Sequence, residues 1–215
     1  MSYFVVIPAR FDSSRLPGKP LKEIAGKPMI QHVYENARKS SAKDVVVATD
    51  DSRILDCVEK FGGRAILTSK NHTSGTERVQ EAAAILSLSL DDIVVNVQGD
   101  EPLMPPEAID RVANDLNERK NFDIATLCEP SNKDMENPNI VKVVLNNVGE
   151  ALYFSRSPIP HALHTNDYLR HIGLYAYRVD IINKLTAFPV SHYEKLERLE
   201  QLRALAFGIK IYVAV

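Results

Sequence analysis

Residues 4–21 read FVVIPARFDSSRLPGKPL: an apolar, β-branched run, Phe4–Ile7, passes straight into a loop carrying Arg10, Arg15 and Lys19. A strand without a polar side is one buried on both faces, as in a parallel sheet between two layers of helix. A loop directly after such a strand lies beyond its carboxyl end, where open α/β sheets bind ligands. Arg10, Arg15 and Lys19, with Ser13, Ser14 and Gly18 among them, suit a polyphosphate, because arginine forks two oxygens and lysine supplies a point charge. Pro17 and Pro20 stiffen the loop. On charge alone the stretch is equally a solvated basic surface loop. It contains neither a G-x-x-x-x-G-K nor a G-x-G-x-x-G pattern.

Outward from this loop, apolar runs alternate with amphipathic ones. Val45–Ala48, Arg64–Leu67 and Ile93–Val97 repeat the buried-strand pattern. Between and after them, Met29/Ile30/Val33/Ala37, Ile54/Leu55/Val58/Phe61, Val79/Ala82/Ala83/Leu86 and Ile109/Val112/Ala113/Leu116 each fall on one helical face. Pro28 and Pro105-Pro106 stand where helices begin, and Gly62-Gly63 where one ends. This βαβ alternation predicts a mixed, mostly parallel sheet with helices on both faces. Strands at Ile124–Leu127, Val141–Leu145, Ala151–Phe154 and Ile172–Tyr177, with short connections, predict a small β extension. Ser191 and Glu194 form a capping box for one last helix carrying Leu196, Leu199, Leu202 and Leu205 and ending at Gly208. Ile209–Val215 reads as a final strand.

The chain has 215 residues, 45% hydrophobic and 25% charged, with a net charge of −2. That balance excludes a disordered chain and a basic nucleic-acid arm. The length suits a single domain over 1–215. Cys57 and Cys128 read as reduced, buried thiols rather than a disulfide framework. No apolar run approaches the roughly 18 residues of a membrane span, and Phe4–Ile7 is too short for a signal core, so the expected setting is cytoplasmic.

Two further segments carry chemistry. Residues 71–78, NHTSGTER, follow the third strand and open a helix, whose free N–H groups favour anions. Ser74 and Thr76 are equally compatible with plain helix capping, and His72 with an ordinary surface residue. Residues 95–102, VNVQGDEP, end a buried strand in Asp100 and Glu101. Acidic groups there, near a polyphosphate loop, suit Mg²⁺, which takes one or two carboxylates with phosphate oxygens and water. The alternative is a Gly99 turn with a solvated acid pair.

Together the segments IPARFDSSRLPGKPL, HTSGTER and NVQGDEP resemble the sugar-acid cytidylyltransferases. NPNIVKVVL, ALYFSRSPIP, LRHIGLYAYR and LEQLR follow in the same order. The resemblance is greatest to members acting on 3-deoxy-D-manno-octulosonate (Kdo) and covers nearly the whole chain. It implies a Rossmann-like nucleotide-diphospho-sugar transferase fold, with residues 1–120 mainly nucleotide-binding and 121–215 mainly for the sugar acid and a homodimer contact. It implies CTP and Kdo as substrates, CMP-Kdo and pyrophosphate as products, a place in lipopolysaccharide biosynthesis, and no nucleic-acid or membrane partner. By resemblance, Arg10, Arg15 and Lys19 hold the triphosphate alongside Pro8 and Ala9. Ser74, Gly75 and Arg78 line the cytidine pocket, and Asp100 binds Mg²⁺. Gln98, Arg156, His171, Tyr175, Glu200 and Gln201 surround the sugar acid, with the Arg156 fork on its carboxylate.

Two departures from the family pattern are expected. The family continues past Val215 into a segment whose aspartate helps hold metal, and its loop at Pro158–Leu169 is longer. Other readings are a cytidylyltransferase for a different sugar acid, a nucleotide-binding module without activity, and a glycosyltransferase. Adjacent acids in place of D-x-D disfavour the last.

Overall fold

Three of the short β-branched runs become central strands because each packs side chains into a helical layer on either side; the fourth, Arg64–Leu67, expected to be buried on both faces, is instead a half-exposed edge strand. The computed structural model describes residues 2–12, 16–161 and 167–215. In chain order the elements are β1 (Tyr3–Ala9), a 3₁₀ turn (Lys19–Leu21), β2 (Glu23–Ile24), β3 (Lys27–Pro28), α1 (Met29–Ala37), β4 (Asp44–Thr49), α2 (Ser52–Lys60), β5 (Ala65–Leu67), α3 (Gly75–Ile85), β6 (Ile93–Asn96) and α4 (Pro106–Glu118). The second half adds β7 (Ile124–Ser131), β8 (Lys142–Leu145), β9 (Ala151–Ser155), β10 (Tyr168–Arg178), α5 (Val179–Ala187), α6 (His192–Glu197), α7 (Gln201–Ala206) and β11 (Ile211–Ala214).

The main sheet runs in the order β11-β7-β10-β6-β1-β4-β5, with β8 pairing both β10 and β9. β1 pairs in parallel with β4 on one side and β6 on the other. The chain thus leaves β1 first in one direction and later in the other. The crevice beyond its carboxyl end is a topological switch point, where such sheets place ligands. β10 runs antiparallel to β6 and β7, so the sheet is mixed. One apolar layer joins Val5, Ile7 and Val95 to Ile30 and Val33 of α1, Ile54 of α2 and Ile109 of α4. The other joins Val6 and Val94 to Val79 of α3, Ile182 of α5 and Leu202 of α7.

Cys57 is half-buried and Cys128 buried, and both are free thiols; burial beside Glu129 pushes Cys128 up to about 11. Among the described residues no helix is long and apolar enough to cross a membrane.

The structure corrects the C-terminal reading. The single helix predicted from Ser191 to Gly208 is two, α6 and α7. Its capping box is present, but Arg198 adopts the left-handed conformation at φ 54°. Arg156 explains the break. Its Nε donates to Glu197 O at 2.7 Å and its Nη2 to Arg198 O at 3.4 Å. These carbonyls turn out of the helix toward a guanidinium instead of continuing its ladder. Leu199 and Leu202 are buried, whereas Leu196 is exposed. Helix α5 was not anticipated, and the final strand is shorter than Ile209–Val215.

Lys142 is wholly buried at the start of β8. Its Nζ donates to Asn137 O at 2.9 Å and Arg156 O at 2.8 Å, and desolvation lowers its pKa.

The left-handed Arg198 yields one expectation. Arg198→Gly removes a Cβ penalty of about 1–2 kcal/mol and adds back somewhat under 1 kcal/mol of chain entropy. The variant therefore unfolds in urea with unchanged or slightly raised stability, whereas Arg198→Val is less stable than wild type.

Candidate active site

Three strand ends build one cavity of about 600 Å³, a volume ordinary for small-molecule sites. Pro8, Ala9 and Arg10 leave β1. Gln98, Gly99 and Asp100 leave β6. His72, Thr73, Ser74 and Gly75 lead into α3, and Lys19, Arg78 and Glu200 complete the walls. All three segments singled out in the sequence converge here.

The cationic loop has a fixed neck. Gly18 N donates to Phe11 O at 2.8 Å, and Gly18 takes φ 66°, which a side chain rarely adopts. The Phe11 ring packs where a Gly18 Cβ would stand, and the Arg53 guanidinium lies 3.3 Å from that ring's centre. Lys19 emerges just beyond the neck, and its Nζ meets Asp100 Oδ2 at 2.6 Å. Arg15 lies outside the described residues. Gly99 is required by close approach, because a Cβ there would stand 2.7 Å from Pro8 O. The ends of β1 and β6 are therefore in backbone contact, holding Arg10 and Asp100 on one wall.

At α3, Ser74 caps the helix, accepting from Glu77 N at 3.2 Å, so the capping reading of Ser74 holds. Gly75 packs against Pro8. Arg78 is buried and donates through Nη2 to Asp50 Oδ2 at 2.8 Å and through Nη1 to Thr68 Oγ1 at 2.5 Å. Asp50 also accepts from Phe11 N at 3.4 Å, which links α3 to the cationic loop. His72, read from sequence as an ordinary surface residue, lines the cavity with Nε2 against Glu81 and Nδ1 3.8 Å from Glu77. The i+5 and i+9 acids on the following helix were the signal that could have found it.

The residues expected around the sugar acid divide into groups. Gln98 and Glu200 line the cavity. Glu200 is exposed to the cavity although protein surrounds it; this crowding raises its carboxyl pKa, partly offset by the hydroxyl of Thr76, 2.7 Å away. Gln201, nearly buried, opens α7 and does not line the cavity. Tyr175 stacks on Tyr177, with ring centres 5.8 Å apart, and His171 lies 5.4 Å from Tyr175. Both tyrosines have raised pKa values, chiefly from desolvation, with Glu200 contributing. A line of rings thus leads from Glu200 back to His171. Arg156 is not on the cavity wall; its guanidinium serves the carbonyls of Glu197, Pro138 and Arg198.

His171 is set by a bulge. Between Ile172 and Tyr175 the β10–β7 register shifts. Thr126 Oγ1 donates to Leu174 O at 2.7 Å, a carbonyl beside that shift. A hydroxyl donating there is left as acceptor toward His171 Nε2, 3.0 Å away. This network assigns a neutral imidazole with its proton on Nε2, leaving Nδ1 to accept.

The site yields two expectations. Asp50→Ala leaves the buried Arg78 charge without its carboxylate. It should lower unfolding free energy by about 3 kcal/mol, read by urea titration. Burial pushes the His171 pKa down to about 3, so the native state binds fewer protons than the unfolded state between that value and about 6.5. The stabilisation is complete above pH 6.5 and is lost as pH falls toward 3. His171→Gln should flatten that limb by about 1 kcal/mol per pH unit, read as stability against pH.

A family model described as cytidylyltransferase matches residues 4–211. A 3-deoxy-manno-octulosonate cytidylyltransferase of Cellvibrio japonicus (strain Ueda107) is 52% identical over 228 residues, covering 100% of this chain and 89% of that protein. The protein of the same description from Coxiella burnetii (strain RSA 493 / Nine Mile phase I) is 49% identical, with 100% and 91% covered. A solved structure of CMP:2-keto-3-deoxy-manno-octonic acid synthetase complexed with CTP superposes with a TM-score of 0.93 at 45% identity, over 100% of this chain and 89% of that one. A cytidylyltransferase from Leptospira borgpetersenii serovar Hardjo-bovis (strain JB197) shares the fold, with a TM-score of 0.64 at 17% identity over 100% and 75% of the two chains. With half its residues identical over its full length, and the same strand ends closing on one cavity, the chain belongs to the 3-deoxy-manno-octulosonate cytidylyltransferases, within the cytidylyltransferase family.

Proposed function

We propose that the cavity transfers CMP from CTP to the anomeric hydroxyl of Kdo, giving CMP-Kdo and pyrophosphate for lipopolysaccharide assembly. The observation that carries this reading is one cavity with Arg10, Lys19 and Asp100 on one wall and Glu200 on another. One side suits a triphosphate and its cation, the other a polyhydroxylated acid.

The hydroxyl oxygen attacks the α-phosphorus in line. The bond from the α-phosphorus to the bridging oxygen breaks, pyrophosphate leaves with the electron pair, and the hydroxyl proton passes to water. Little covalent chemistry falls to the protein in such a transfer, so positioning and charge neutralisation set the rate. Arg10 and Lys19, with Arg15, bind the β- and γ-phosphates beside Pro8 and Ala9. Ser74, Gly75 and Arg78 hold the cytidine. Gln98 and Glu200 on the cavity wall orient the sugar acid, with His171, Tyr175 and Gln201 packed behind them. His171 Nδ1 is free to accept from a hydroxyl, and Arg156 is the group for the carboxylate once it exchanges a carbonyl partner.

The donor set fits Mg²⁺. Asp100 offers a half-exposed carboxylate whose Oδ2 meets Lys19, and no group of three or more His, Cys, Asp or Glu among the described residues could hold a metal by itself. A single carboxylate completed by substrate oxygens and water is an arrangement Mg²⁺ accepts. Asp100 would hold the ion, which supplies charge neutralisation at the phosphates when bound. Lys19, paired with the same carboxylate at 2.6 Å, lines the cavity beside it.

The reading extends to a cytoplasmic homodimer with the nucleotide on residues 1–120 and the sugar acid and subunit contact on 121–215. Exposed Leu152, Tyr193 and Leu196 on β9 and α6 support the latter.

Pyrophosphate release from CTP, with Kdo and Mg²⁺, tests the reading. Release should depend on Kdo and fall about 10²–10³-fold in Lys19→Ala. Asp100→Ala should show a similar loss, together with a higher Mg²⁺ concentration at half-maximal rate. Release that ignores Kdo, or prefers another sugar acid, sinks the assignment.

A further inference from the structure

Thr76 belongs to the HTSGTER segment, yet its side chain does not cap α3. Its Oγ1 donates to Glu200 Oε2 at 2.7 Å, bridging 124 residues of sequence from the nucleotide helix to the start of α7. Thr76 itself is buried, whereas Glu200 faces the cavity. The neighbouring cation does not do this work. Arg203 forks both oxygens of Glu194, at 2.6 and 2.8 Å. Among the described residues the Glu200 side chain has Thr76 as its hydrogen-bond donor, at Oε2, and Glu200 lines the cavity. The ring of Tyr177, near Glu200, stacks on Tyr175.

We propose that Thr76 is a positioning residue for the sugar acid, acting through Glu200: it fixes one carboxylate oxygen so that the other meets a sugar hydroxyl in a constant place. This rests on the reading that Glu200 contacts the sugar acid. A carboxylate at a cavity edge has rotamer freedom to lose on binding, and a buried donor removes that freedom beforehand. The helix whose first turn faces the nucleotide thereby also sets the geometry of the acceptor.

Steady-state kinetics of the full chain with CTP, Kdo and Mg²⁺ test it, with Thr76→Val, Thr76→Ser, Glu200→Ala and the Thr76→Val/Glu200→Ala pair. Thr76→Val keeps the shape and removes the donor. It should raise KM for Kdo about tenfold, the worth of one hydrogen bond to a charged group, with KM for CTP within twofold of wild type. Thr76→Ser keeps the hydroxyl and should restore KM for Kdo. The double variant should match Glu200→Ala, because the threonine acts only through the glutamate. Equal rises in both KM values, a Thr76→Ser as impaired as Thr76→Val, or additive losses in the double variant overturn the proposal. If Glu200→Ala raises KM for Kdo while Thr76→Val does not, the proposal alone fails. If Glu200→Ala leaves KM for Kdo unchanged, the reading of Glu200 fails and takes the proposal with it.

Discussion

The buried guanidinium of Arg78 holds the site together. It reaches Asp50 beyond β4, Thr68 beyond β5 and, at 3.3 Å, the carbonyl of Ser69. Asp50 in turn takes the amide of Phe11, and the Thr68 hydroxyl donates to Thr49 O at 3.0 Å. One side chain therefore fastens α3, the ends of two strands and the neck of the cationic loop. A buried charge without partners would be prohibitive, so the network must close completely or not form. A lysine cannot substitute, because the bonds leave two different nitrogens of a planar fork.

From this fastening the electrostatics of the cavity follow. Arg78 is committed to the protein, so mobile positive charge comes from Arg10 and Lys19, which are more exposed. The groups behind Glu200 are the reverse case. His171 is held neutral and Tyr175 protonated, both by burial. Cations and Asp100 thus lie on one wall of the cavity and Glu200 on another, with neutral His171 and Tyr175 behind it. β1 and β6 end at the first wall, and β10 carries His171 and Tyr175.

Much of this was legible in the sequence because the signals were local. Buried-strand runs and helical faces depend on the periodicity of neighbouring residues, and β1, β4, β6 and α1–α4 fall close to where the sequence placed them. Two of the three loop motifs end buried strands and the third follows the half-exposed edge strand β5; parallel pairing sends all three to one end of the sheet. What was not legible depends on distant partners. Leu196, Leu199, Leu202 and Leu205 keep a spacing near that of one helix through Arg198. The break arises from the guanidinium of Arg156, more than forty residues earlier. The same distance hid the role of Thr76, whose partner is 124 residues away, and the guanidinium contacts of Arg156. His72 read as a surface residue because its i+5 and i+9 acids become a pattern only once α3 brings Glu77 and Glu81 beside it at the cavity wall.

The wholly enclosed ammonium of Lys142 also makes the β8–β9 ribbon chemically readable. Its Nζ is turned inward onto the carbonyls of Asn137 and Arg156, and an amine-modifying reagent cannot approach it without parting those strands. Lys19, Lys27 and Lys184, half-exposed at the surface, label at solvent-limited rates by comparison. Acylation of Lys142 would therefore count openings of that ribbon. A single residue's labelling rate becomes a clock for local unfolding of that ribbon, independent of turnover.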